Sequence, residues 1–162
     1  MASHVQQCTR FRQWSYRGML RGVLARSPGA LSSGRRRAAV TGLILLGAAL
    51  TVVSGAIHLY LWNEGYSVIA VIGPLFLVQG ISAAAAGVVT AVTRCVAAAL
   101  ASAVLLTGTA IGLVISAEHG IFGFHETWAA PYTRPSLSAE IAGTVLLLLA
   151  AGWLARRNSA RT

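Results

Sequence analysis

Three side chains could form a polar centre inside this otherwise apolar chain: His58, His119 and Glu140. Two imidazoles and a carboxyl can form a hydrogen-bonded cluster that locks helices together, or can ligate a transition metal. Two histidines on facing helices can hold a haem, and Glu140 and His58 together with Gln79 can line a proton or solute path. At 100° per residue, His58 shares a helical face with Gly47, Thr51 and Ser54. His119 lies about 20° from Gly108 by the same count, so it follows the face of Gly108 and Gly112. Glu140 shares a face with Thr144 and Ala151. The three residues have similar depths, each about a turn or less from the same end of its helix, so they are expected to converge. Their spacing matches no ligand motif. The plainest account is a polar cluster that fixes packing; the alternative for Glu140 is that it exploits the positive N-terminal end of its helix. No cofactor is required on this account; haem and a transition metal are the alternatives.

Other features narrow the chemistry further. No nucleophile–base arrangement, phosphate loop or paired-carboxylate spacing appears, so a non-enzymatic protein is expected. Cys8 and Cys95 form no Cys-x-x-Cys and are expected to be free thiols. His125 and Glu126 read as solvated loop residues. Gln79, near the middle of an apolar stretch, needs an interhelical hydrogen bond.

The elements that position these residues are four apolar stretches, roughly residues 38–62, 67–93, 95–117 and 137–154. Each is long enough to cross a hydrocarbon layer of about 30 Å. Only 10% of the 162 residues are charged and 56% are hydrophobic, which excludes an ordinary soluble globule. The connections around Asn63-Glu64-Gly65 and Arg94 are short, so neighbouring spans run antiparallel. The fold class is therefore all-α: a membrane-spanning antiparallel four-helix bundle with a basic N-terminal arm (residues 1–37), a cap (118–136) and a short tail (156–162). Small residues mark the expected helix contacts: Gly73, Gly80 and Gly87 at seven-residue spacing on span two, and Gly108 and Gly112 on span three. Pro74 removes a backbone donor and predicts a kink in span two. Gly120, Gly123, Pro131 and Pro135 break the cap, and Phe122, Phe124, Trp128 and Tyr132 are too apolar for a solvated loop.

The net charge is +9, and its distribution sets orientation. Four crossings put 12 of the 13 arginines on one side: eight before span one, then Arg94, Arg156, Arg157 and Arg161. All four glutamates fall on the other side, with Arg134. Arginine bias places both termini in the cytoplasm. The arm is expected to be disordered and to meet anionic lipid heads, and no nucleic-acid fold is visible in it. Its length, and the length of the apolar run after it, favour an uncleaved first span over a signal peptide, and Met19 offers a second possible start. The chain has no lysine or aspartate and is rich in Ala, Arg, Gly and Val, a skew that suggests a GC-rich bacterial genome and hence a plasma membrane.

The stretches GAIHLYLWNEGYSVIAVIGPLFLVQG and GIFGFHETWAAPYTRPSLSAEIAG resemble small four-span integral membrane proteins of actinobacterial type that have no assigned activity. The resemblance covers about residues 55–143. It implies the same four-helix architecture and membrane location, and carries over no ligand or catalytic residue. The expected role is a structural or accessory subunit, self-associating or bound to a membrane-protein partner. The alternatives are a small transporter or proton-coupled carrier, and a haem- or metal-binding redox protein.

Overall fold

The computed structural model describes residues 34–159. The basic arm before residue 34 and the last three residues of the tail lie outside them. Four long helices follow in order: α1 (Gly34–Asn63), α2 (Ile72–Thr93), α3 (Val96–His119) and α4 (Thr133–Ser159). Each contains a stretch long and apolar enough to cross a membrane, so the chain has the make-up of a multi-pass membrane protein. α1 packs most extensively against α2 and α4, α3 packs on α4, and the α2–α3 contact is thinner.

Local chemistry explains the boundaries. α2 starts at Ile72, five residues later than hydropathy alone places it. Tyr66–Val68 form a 3-10 turn, and Val71 adopts φ 68° with the Ile72 N–H bonded to the Ala70 carbonyl at 2.8 Å. Pro74 consequently falls in the first turn of α2, where a missing N–H leaves no helical bond unmade. The kink expected inside span two is thus a helix start. Pro135 sits the same way in the first turn of α4, which begins at Thr133 and shortens the cap. At the opposite end α2 stops at Arg94 in the left-handed region, φ 50°, its N–H bonded to the Thr90 carbonyl. The Arg94 side chain also donates to the Ala91 carbonyl at 3.2 Å, a favourable place for a cation.

Two apolar clusters fill the interior. Val40, Ile44, Val96, Ala150, Ala151 and Leu154 lie towards the Arg94 end, and Ala99, Ala103, Leu106 and Leu147 lie nearer the middle. Close approach of the helices depends on glycine. A methyl group on Gly80 would meet Leu59 Cγ at 2.5 Å and the Gly55 carbonyl oxygen at 3.1 Å, and one on Gly87 would meet the Ala48 carbonyl oxygen at 2.8 Å. Gly80 and Gly87 of the α2 stripe therefore meet a helix, which is α1, whereas Gly73 packs on the preceding turn at Ser67. Gly47 and Gly143 make a second close crossing, between α1 and α4. Gly108 and Gly112 do not pack within the bundle: a methyl on either has nothing within 4 Å.

Candidate polar site at the cap end

Glu140 is fully buried, at 0% exposure, two turns into α4. Its Oε1 accepts from Ser54 Oγ of α1 and from Ser136 Oγ one turn earlier on α4, each at 3.0 Å. Its Oε2 is buried and has no hydrogen-bond partner among the described residues. Because α4 begins at Thr133, the carboxyl lies beyond the first turn, where the helix dipole acts most strongly. The expectation that the helix terminus favours Glu140 is corrected accordingly.

His58 is buried one turn beyond Ser54 on α1. Its Nδ1 lies 2.8 Å from the Ser54 carbonyl oxygen. A carbonyl only accepts, so Nδ1 carries the proton. The ring leans on Phe76 of α2, centroids 5.0 Å apart. His58 and Glu140 therefore meet through one residue: the Ser54 backbone holds the imidazole and the Ser54 hydroxyl holds the carboxyl. Gly47, Thr51, Ser54 and His58 are all buried, so the face assigned to α1 is the inward one.

His119 does not join them. It is exposed at the end of α3, on the same open face as Gly108. The angular count was sound, but the face it follows looks outward. Among the described residues no group of three or more His, Cys, Asp or Glu side chains is arranged to hold a metal ion. Gln79 is half-buried on α2, and its Nε2 has no partner, so the interhelical bond expected of it is not formed by that atom.

The cap supplies the member that the sequence reading missed. Glu126 is buried at 6% exposure rather than solvated. Its Oε2 accepts from the Tyr66 hydroxyl at 2.9 Å and its Oε1 from the Thr127 N–H at 2.9 Å. The Tyr66 ring stacks on Phe76 at 4.8 Å and meets Phe124 edge-on at 5.6 Å. A short bridge pairs Ile121 with Phe124, and the Glu126 N–H bonds to the Ser116 carbonyl at 3.2 Å. These contacts fold the cap back onto the α1–α2 hairpin. The signal for this was the run of aromatic residues around Glu126, which need cover and bring the carboxyl under it. Glu118 is exposed and accepts from Trp128 Nε1 at 2.9 Å, while the His125 ring lies 2.9 Å from the Glu126 carbonyl oxygen.

Burial, with the Glu126 carboxylate as hydrogen-bond partner and neighbouring charge, pushes the Tyr66 hydroxyl up to about 12 from an ordinary value of 10.0. The raised value means the folded state resists ionising this phenol. Its contribution to stability is therefore complete below pH 10 and is lost as pH rises through 12. Ultraviolet titration of phenolate is expected to show one tyrosine ionising near 12, and Tyr66→Phe is expected to remove that step. The same substitution leaves Glu126 Oε2 short of a donor and should cost about 1–2 kcal/mol in equilibrium unfolding.

The site can hold helices together and can present one buried carboxyl oxygen to a small occupant. No family model, curated protein or solved structure matches the chain.

Proposed function

We propose that this multi-pass protein is a non-enzymatic structural or accessory subunit of a bacterial plasma membrane, with its cap outside and both termini in the cytoplasm. The observation that carries this reading is the direction of the polar bonds. Glu140, Ser54, Ser136 and His58 bond to one another across α1 and α4, and Glu126 bonds to the hairpin. They fasten the bundle to itself. The face left over for a partner is on α3, where Val104 is 73% exposed, Ile111 is 54% exposed and Gly108 and Gly112 are uncovered. Small residues there permit close approach of another transmembrane helix. The arginines before span one would rest on anionic head groups, each contributing about 1 kcal/mol near the surface.

A photo-crosslinking residue at Val104, used in intact membranes, tests the role. One constant adduct, with a second copy or with another membrane protein, is the expected result. Adducts with lipid alone would contradict it. The second reading, a small proton-coupled carrier, is favoured by two of the three buried side-chain atoms that lack a partner among the described residues, Glu140 Oε2 and Gln79 Nε2, the third being Ser116 Oγ. It requires solute or proton flux in vesicles that Glu140→Gln abolishes.

A further inference from the structure

The geometry points to a binding site for a single sodium ion at Glu140, built from its carboxyl and the hydroxyls of Ser54 and Ser136. This goes beyond the accessory role, which stands with or without it. Four oxygens from two helices meet here: Glu140 Oε1 and Oε2, Ser54 Oγ and Ser136 Oγ. Carboxyl and hydroxyl oxygens are hard donors, suited to hard cations rather than to zinc or copper.

Hydrogen-bond accounting shows that the cluster is incomplete without an occupant. As a carboxylate, Glu140 takes both serine protons on Oε1 and leaves Oε2 without a donor. As a carboxylic acid, an O–H on Oε2 has no acceptor. Either state leaves a fully buried polar atom unpaired, which is costly in a protein interior and more so inside a membrane. A small cation on Oε2 resolves this, because the serine oxygens keep free lone pairs after donating their protons.

Charge favours the same occupant. The chain contains no lysine. Among the described arginine side chains, Arg36, Arg94, Arg134 and Arg156 are all exposed. His58, one turn beyond Ser54 on α1, has its Nδ1 committed to the Ser54 carbonyl. One carboxyl without a fixed counter-charge among the described residues matches one monovalent ion. A divalent ion would leave an uncompensated positive charge in the same apolar surroundings.

Thermal unfolding of the full chain in neutral detergent, in sodium chloride against choline chloride at equal ionic strength, tests the site. Sodium is expected to raise the native midpoint by roughly 5 °C at about a hundred times its dissociation constant. Glu140→Gln keeps an oxygen acceptor for both serines but carries no charge, and its midpoint is expected to be the same in the two salts. Ser136→Ala is the milder variant, for use should Glu140→Gln fail to fold. It is expected to need about tenfold more sodium for the same shift, a loss of one ligand oxygen. A native midpoint indifferent to sodium would overturn the proposal. So would an equal sodium response in native protein and in whichever of the two variants is measured.

Discussion

Glu140→Leu is expected to lower the unfolding free energy by about 3 kcal/mol, because it leaves two buried serine hydroxyls without their acceptor. Hydrogen bonds between membrane helices are individually modest, about 0.6–2 kcal/mol, so the size of the effect rests on Ser54 and Ser136 sharing one carboxyl oxygen. Loss of either donor alone, in Ser54→Ala or Ser136→Ala, is expected to cost only about 1 kcal/mol. Removing all three groups together, as Ser54→Ala/Ser136→Ala/Glu140→Leu, should recover most of the loss, to within about 1 kcal/mol of native. Equilibrium unfolding in mixed micelles reads all four variants. Strict additivity, with the triple variant the least stable, would show that the three groups do not act as one unit.

Gly87→Val is expected to be at least as damaging, at about 3 kcal/mol. The added Cβ lies 2.8 Å from the Ala48 carbonyl oxygen and 3.1 Å from the Val52 nitrogen, both backbone atoms of α1. A side chain could rotate aside, but a helix backbone cannot without the two helices parting along their length. Gly108→Val is the control. Its Cβ meets nothing within 4 Å, and its effect on the stability of the isolated chain is expected to stay within about 0.5 kcal/mol. Thermal midpoints of the two variants in detergent make the comparison. Equal losses would mean that α3 is covered within the bundle in the same way as α2.

The contrast between these two glycines shows how much the sequence revealed. Hydropathy and charge were sufficient for four spans, because span length is a property of each segment alone. That Gly80 and Gly87 meet another helix was legible because they lie with Gly73 on a seven-residue stripe; that the neighbour is α1, and that Gly73 instead packs on the turn at Ser67, was not. The pattern at Gly108 and Gly112 looked equivalent but faces outward. A small-residue stripe marks a surface that permits close approach and does not say whether this chain supplies the neighbour. His119 was misplaced for the same reason: its angular relation to Gly108 was correct, and the face was assigned to the wrong side. Inward and outward faces of a membrane helix are both apolar, so composition cannot separate them as it does in water.

At the cap end, the buried face of α1 was readable because Gly47, Thr51, Ser54 and His58 are small or polar residues at helical spacing. The partners of Glu140 were only half legible. Ser136 lies one turn before it on the same helix, whereas Ser54 is 86 residues away. The burial of Glu126 depends on a tertiary event, the cap folding onto Tyr66; the aromatic run around Glu126 signals that the cap needs cover but does not name the partner that supplies it. The start of α2 was displaced because hydropathy registers Ser67 to Val71 as span, whereas backbone geometry at Val71 and Pro74 decides where the helix can begin.

The central claim is that the chain crosses the bilayer four times, with the hairpin and the cap on one side and the α2–α3 link on the other. Glu64, Arg94 and Ala129 are exposed positions that sample those three places. In a background with Cys8 and Cys95 replaced by serine, an impermeant maleimide applied to intact cells should label Glu64→Cys and Ala129→Cys and reach Arg94→Cys only after the membrane is opened. Labelling of Arg94→Cys together with Glu64→Cys from the same face of an intact membrane would contradict it.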